Sequence, residues 1–256
     1  MTEAGQPKTV LITGGAKRIG RAIALAFARR KFSVIIHYRH SQQAAEELLQ
    51  EMNEYTSGHA ALQADLMRPS ERQRLIKDAM QINGSLDVLV NNASVYRRNW
   101  LKDVEEKTAR QDFEINFWAP FMLMKDFCHL CAKGCIINML DQRVAAVDPA
   151  AGTYGLAKKC LRDATEAAAI EWAPHIRVNG IAPGVVLPPP GVPEEKIYPL
   201  LERVPMKTNT KPQEIAAACT FLATAPTLTG NVLYLDGGLH LISASLNEKA
   251  PSQKTS

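Results

Sequence analysis

An alternation limits what this chain can fold into. Short apolar runs ending in glycine or asparagine are each followed by a stretch with helical spacing. KTVLITG runs into GAKRIGRAIALAFARRK, where Ile19, Ala22, Ile23, Ala26 and Phe27 recur on one helical face. FSVIIHYRHS precedes QQAAEELLQEM, with Ser41 placed to cap that helix. HAALQADL, LDVLVNNAS, CIINML, HIRVNGIAPG and NVLYL repeat the strand half, and Ser70-x-x-Gln73 resembles a capping box. Strands alternating with helices pair in parallel, because each helix carries the chain back across the sheet. The expected fold class is therefore α/β: a doubly wound parallel sheet of seven strands with helices on both faces.

A chain of 256 residues suits one such domain. No interdomain linker interrupts it, so residues 1–243 are expected to form a single unit. Pro188, Pro189, Pro190, Pro193, Pro199 and Pro205 crowd residues 185–206, too many for a core element, and predict a surface flap. Residues 244–256 read as a polar tail. A net charge of +4 fits anionic small molecules and is too diffuse for a nucleic-acid surface. No apolar run suits a signal core or a membrane span, so a soluble cytoplasmic protein with no membrane partner is expected. Cys128, Cys131 and Cys135, with His129 between them, could suggest a metal cluster. The first two are expected on a helix ending near Lys133-Gly134 and the third on the next strand, so the reading is reduced thiols and no metal.

Ligands in parallel sheets bind where the strands end. Gly14, Arg39, Asp65, Asn92, Asp141 and Pro183 all lie just past expected strand ends. Gly14, Gly15 and Gly20 suit either an ordinary strand-to-helix turn or an anion site at a helix N-terminus. The second strand ends in His37, Tyr38, Arg39 and His40, with no acid for a ribose 2′-hydroxyl. Arg39, with Lys17 and Arg18, suits a 2′-phosphate, which implies NADP(H), or else forms a solvated basic edge. Asp65 is placed to touch an adenine amino group or to cap the turn before Pro69. Asn116, inside a helical stretch of poor propensity for it, is either a tolerated surface residue or a polar group with a task. Tyr154-x3-Lys158 puts an amine one helical turn from a phenol, which favours phenolate over phenol. Asp141 lies thirteen residues before Tyr154, as part of a relay or as a turn residue.

Taken together, Thr13-Gly14…Gly20, Asp65-Leu66, Asn91-Asn92-Ala93, Asn116, Tyr154-x3-Lys158, Pro183-Gly184 and Asp236-Gly237-Gly238 resemble the short-chain dehydrogenase/reductase family over roughly residues 8–242. The resemblance implies a single-domain Rossmann-like fold and a homotetramer or homodimer, the tetramer being the expectation. It implies Tyr154 as acid/base, Lys158 on the nicotinamide ribose and Asn116 holding a relay water. Thr13, Gly14, Lys17, Arg18, Ile19, His37, Tyr38, Arg39, Ser41, Asp65, Leu66, Asn92, Ala93, Ser94, Pro183 and Gly184 would line NADPH with Tyr154 and Lys158. Three positions depart from the family: Arg18 for a turn glycine, Asp141 for the usual serine, and Ser94 in NNAS for NNAG. TGGAKRIG, HYRHS, NNASVY and INMLDQR are similar to the pteridine reductase and dihydromonapterin reductase branch. Relative to that branch Arg39 and His40 are exchanged, so either one could meet the 2′-phosphate, and Tyr96 stands where a stacking Phe is typical. The implied substrate is a dihydropterin, or a folate, touching Arg18, Ser94, Tyr96, Asp141 and Tyr154. Ketone, quinone or acyl reduction, and NADP(H) binding without chemistry, are the alternatives.

Overall fold

The computed structural model describes residues 7–189 and 191–242. Its strands are β1 Thr9–Ile12, β2 Ser33–Tyr38, β3 Ala60–Gln63, β4 Val88–Asn91, β5 Gly134–Met139, β6 Ile176–Pro183 and β7 Val232–Leu235. All pair in parallel, in the order β3-β2-β1-β4-β5-β6-β7. The chain order reverses between β1 and β4, which opens the crevice at that point. The helices are α1 Arg18–Arg29, α2 Gln42–Asn53, α3 Pro69–Asn83, α4 Glu106–Phe113, α5 Ala119–Leu130, α6 Gly152–Glu171, α7 Tyr198–Leu201 and α8 Pro212–Thr224.

Side chains alternate across the sheet, and both faces are apolar. Val10, Ile12, Val34, Ile36, Val88, Val90 and Ile137 pack with Ile23 and Phe27 of α1, Leu48 and Met52 of α2, and Ile215 and Leu222 of α8. Leu11, Ile35, Leu89, Ile136 and Val178 pack on the other side with Leu75 and Ile76 of α3, Leu123 and Phe127 of α5, and Leu161 of α6. That double coverage is why the strands read as continuous apolar runs.

Three local expectations need correction. Ser41 occupies the cap position of α2, but its hydroxyl makes no capping bond. Ser70 and Gln73 do not form a capping box. Helix α3 starts at Pro69, two residues before the start a Ser70 cap would give, and the missing N–H and fixed φ of Pro69 suit a first helical position. Glu71 reaches back instead, accepting from the Asp65 amide at 2.6 Å. The helix carrying Cys128 stops at Leu130, and Cys131 closes it. Burial pushes the thiols up, Cys131 to about 12 and Cys135 to about 11. Among the described residues, no group of three or more His, Cys, Asp or Glu could hold a metal ion. No helix there is long and apolar enough to cross a membrane. The expected flap holds a single 3-10 turn, Glu194–Ile197, and the four-residue α7. Pro190 and the expected tail at 244–256 lie outside the described residues.

One polar chain crosses the buried sheet. Asn91 and Asn138 are register partners on β4 and β5. The Asn91 amide donates to Asn138 Oδ1 at 2.9 Å, and Asn138 Nδ2 donates to Thr165 Oγ1 on α6 at 2.8 Å. Asn138 and Thr165 are fully buried. Removing the middle member takes a partner from each neighbour, leaving Asn91 Nδ2 the Pro120 carbonyl at 3.4 Å and Thr165 Oγ1 its bond to the Leu161 carbonyl at 2.7 Å. Asn138→Ala is expected to lower unfolding free energy by about 2–3 kcal/mol, measured by urea denaturation. A change within experimental error would show that the chain contributes nothing net.

Candidate active site

The turn after β1 is built for close approach. Gly14 adopts φ +62°, and a Cβ on Gly20 would collide with the Gly14 carbonyl oxygen. Thr13 Oγ1 accepts from the amides of Asn92 and Ala93 at 2.9 and 3.0 Å. Asn92 Nδ2 returns hydrogen bonds to the Thr13 and Gly14 carbonyls at 2.9 and 3.1 Å. The ends of β1 and β4 are thereby laced together. Lys17 heads α1 without a side-chain cap, so the first turn is available to an anion.

Arg18 has φ +54°, a left-handed conformation that costs a side-chain residue roughly 1 kcal/mol. Its Nη2 donates to the Pro188 carbonyl at 2.6 Å, joining the turn to the flap. A cavity of about 400 Å³ runs along this edge. Gly14, Lys17, Arg18 and Ile19 line it from the turn, and His37 and Arg39 from the end of β2. Asp65 and Leu66 come from the end of β3, and Asn92, Ala93 and Ser94 from the end of β4. Eleven expected cofactor residues are therefore brought together.

Others among them have different surroundings. His37 is buried, accepting from the Gly14 amide at Nδ1 (3.2 Å) and meeting the Ala64 carbonyl at Nε2 (2.9 Å). Burial holds its pKa down. It is a neutral brace rather than a cation facing a phosphate. Arg39 projects into solvent and pairs with Asp65 at 3.0 Å. Arg39 lines the cavity and His40 does not; both line an adjoining space of about 310 Å³. Thr13, Tyr38, Ser41, Pro183 and Gly184 do not line the larger cavity. Tyr38 packs on the apolar core. Gly184 donates to the Leu235 carbonyl at 2.9 Å, and a Cβ there would strike Asp236.

The second half of the site gathers on α6. The Tyr154 hydroxyl donates to Asp141 Oδ2 at 2.9 Å, and Lys158 Nζ donates to the Met139 carbonyl at 2.6 Å. Lys158 Nζ lies 5.9 Å from the Tyr154 ring centroid. Tyr154 and Lys158 are buried. The electrostatics overturn the expectation that Lys158 holds the phenol acidic. Burial pushes the Tyr154 pKa well above the ordinary phenol range, and the Asp141 charge and hydrogen bond add to it. Burial pushes Lys158 down to about 8, with Asp141 pulling the other way.

Asn116 sits in a π-helical turn, Glu114–Trp118, between α4 and α5. Its Oδ1 accepts from Ser94 Oγ at 2.6 Å and the Val95 amide at 3.3 Å. Its Nδ2 donates to the Val95 and Asp112 carbonyls, both at 3.0 Å. The amide is saturated, so its side chain braces the loop rather than holding a water. Tyr96, nearly half exposed, meets Tyr154 edge-on with centroids 4.8 Å apart.

Two further groups have no assigned role in the sequence reading. Asp112 is fully buried and accepts from Thr153 Oγ1 at 2.6 Å. Arg143 Nη1 lies 3.2 Å from both Asp141 oxygens, its Nε donates to Asp148 at 2.7 Å, and its guanidinium lies over Tyr96, 5.3 Å from the centroid. The spacing Asp141-x-Arg143 was the one available signal, and an i, i+2 pair has no defined geometry outside a regular element.

The chain matches, over residues 14–240, the family model described as enoyl-(acyl carrier protein) reductase. It is 30% identical over 253 residues to glucose 1-dehydrogenase 2 of Bacillus subtilis, covering 93% of this chain and 97% of that protein. It is 29% identical over 242 residues to the 3-oxoacyl-(acyl-carrier-protein) reductase FabG of Staphylococcus epidermidis, covering 91% and 99%. Among solved structures it superposes on FolM alternative dihydrofolate reductase 1 from Brucella canis, complexed with NADP. That match has TM-score 0.86 and 31% identity, over 93% of this chain and 96% of that one. The counterpart from Brucella suis, also with NADP, gives 0.86 and 32% over 92% and 96%.

Lys158 generates a prediction about stability. With a folded pKa of about 8 against about 10.4 unfolded, the unfolded chain binds more protons between those values. Stability therefore rises with pH across that window as the burial penalty is relieved, by up to about 3 kcal/mol. Subtracting the denaturation profile of Lys158→Met from that of the native protein should isolate this rise. A difference independent of pH would mean that Lys158 is not held down.

Proposed function

We propose, on the premise that this chain belongs to the short-chain dehydrogenase/reductase family, that it is an NADPH-dependent reductase of dihydropterins or related folates. The observation that carries the reading is the 2.9 Å hydrogen bond from Tyr154 to Asp141, with Lys158 one turn away on the same helix. A serine at position 141 would suit an oxygen becoming alkoxide; a carboxylate backing the phenol suits protonation of a ring nitrogen. The FolM neighbours, named as alternative dihydrofolate reductases, support the same substrate class.

The residues present fit NADP(H). The uncapped start of α1 and the close turn between Gly14 and Gly20 would hold the pyrophosphate. Arg39 and Lys17 would meet the 2′-phosphate, Arg39 exchanging its Asp65 partner for it. Lys158 would hold the nicotinamide ribose, and Pro183-Gly184 would lie by the nicotinamide. Bound NADPH supplies a hydride to the carbon of a ring C=N. Tyr154 gives the hydroxyl proton to the nitrogen, so each turnover consumes one NADPH and one proton and leaves NADP and the tetrahydro product. That proton swings from its hydrogen bond with Asp141 to the substrate, and solvent returns a proton. Tyr96 and Ser94 would contact the flat heterocycle, and Arg18 its polar edge. A homotetramer and a cytoplasmic location complete the proposal.

The relatives named as glucose 1-dehydrogenase and 3-oxoacyl reductase favour a second reading, a carbonyl substrate. Initial rates with dihydrobiopterin, dihydromonapterin, dihydrofolate and a panel of ketones and oxoacyl thioesters separate the two. Turnover confined to the carbonyl compounds would remove the pterin assignment. Tyr154→Phe should lower kcat at least about 100-fold while the Kd for NADPH, from fluorescence titration, stays within about threefold. Unchanged turnover would take Tyr154 out of the chemistry.

A further inference from the structure

We infer that Arg143 is a positioning residue. Its guanidinium holds the Asp141 carboxyl in place against the Tyr154 hydroxyl, the group that gives its proton to the substrate. This deepens the reductase reading and rests on it for the identity of the step.

The geometry fixes both oxygens of Asp141. Its Oδ1 takes the Arg143 amide at 2.9 Å and Nη1 at 3.2 Å; its Oδ2 takes Nη1 at 3.2 Å and lies 2.9 Å from the Tyr154 hydroxyl. The three Arg143 contacts come from groups that can only donate, and Tyr154 completes the set. Arg143 is itself fixed. Asp148 holds its Nε at 2.7 Å, and the Tyr96 ring lies under its guanidinium. Burial works against the Arg143 charge, but Asp141 and Asp148 more than offset it.

The segment carrying both residues is clamped from α6. The Val144 carbonyl accepts from Arg162 Nη1 at 2.9 Å and Lys159 Nζ at 3.3 Å. The charged and titratable groups facing the cluster are Tyr154 and Lys158 from α6 and Tyr96 from the loop after β4. Asp148, with Arg98 acting on it, lies on the following loop. His240, in the C-terminal turn packed on residues 142–144, is committed to Asp236 at 2.9 Å.

The step balances without a proton on Asp141. The O–H bond of Tyr154 breaks, an N–H bond forms on the substrate, and the hydride supplies the electron pair to carbon. A phenolate beside a carboxylate is costly, so its recapture of a proton from solvent is favoured.

Two measurements test the inference, one of them independent of substrate. A crystal structure of the cofactor-free Arg143→Met variant should show the Asp141 carboxyl turned out of hydrogen-bond reach of the Tyr154 hydroxyl. The second is steady-state kinetics at saturating NADPH. Arg143→Met should lower kcat about 10- to 100-fold and leave the KM for NADPH within about threefold. Arg143→Lys, which keeps the charge without the fork, should fall between, and it serves if the methionine variant does not fold. An Asp141 carboxyl that stays on Tyr154 in the variant, or a kcat unchanged in both variants, overturns the inference. A native protein inactive on every dihydropterin but with the expected carboxyl displacement in the variant sinks the substrate assignment and leaves the Arg143 anchor standing.

Discussion

Every strand of a parallel sheet ends on the same edge, and there the backbone runs out of strand partners. Buried carbonyls and amides at that edge must be satisfied by something else, because leaving one unpaired costs as much as a lost hydrogen bond. In this protein the site residues do that work. Asn92 serves Thr13 and Gly14, His37 bridges Gly14 and Ala64, Asn116 serves Val95, and Lys158 takes the Met139 carbonyl. The groups a dinucleotide would meet are held by the same bonds that finish the sheet. That is why the geometry stands ready before any ligand arrives.

Electrostatics in the inner half run against the simple view of a tyrosine acidified by a neighbouring lysine. Lys158 gives one of its donors to a backbone carbonyl and is weakened by burial, while Tyr154 faces a carboxyl group. Burial and the carboxyl group beside the phenol, and not the amine one turn away, set the direction in which the Tyr154 pKa moves.

The turn after β1 shows a different trade. Arg18 accepts a backbone conformation that glycine adopts freely, and its side chain reaches the Pro188 carbonyl on the flap. The strain is small against a charge-assisted hydrogen bond that ties a proline-rich segment to the turn after β1. An arginine there joins two segments 170 residues apart, which a glycine side chain cannot do.

By itself the sequence determined the sheet and the order in which it is built, because two-sided burial writes each strand as an apolar run and each helix as a 3.6-residue period. It also determined which residues reach the edge: Gly14, Arg39, Asp65, Asn92, Asp141 and Pro183 were readable from where the runs stop. It predicted caps at Ser41 and Ser70 that did not form, since a hydroxyl near a helix start is permission and not geometry. Only the tertiary structure decided what each edge residue does. It turned His37 inward, filled the Asn116 amide with loop backbone, and raised the Tyr154 pKa where local spacing had suggested a fall. It also brought Arg143 onto Asp141, Asp148 and Tyr96, residues 2, 5 and 47 positions away. Hydrogen bonding and desolvation depend on distances across the fold, and no local pattern of residues encodes those.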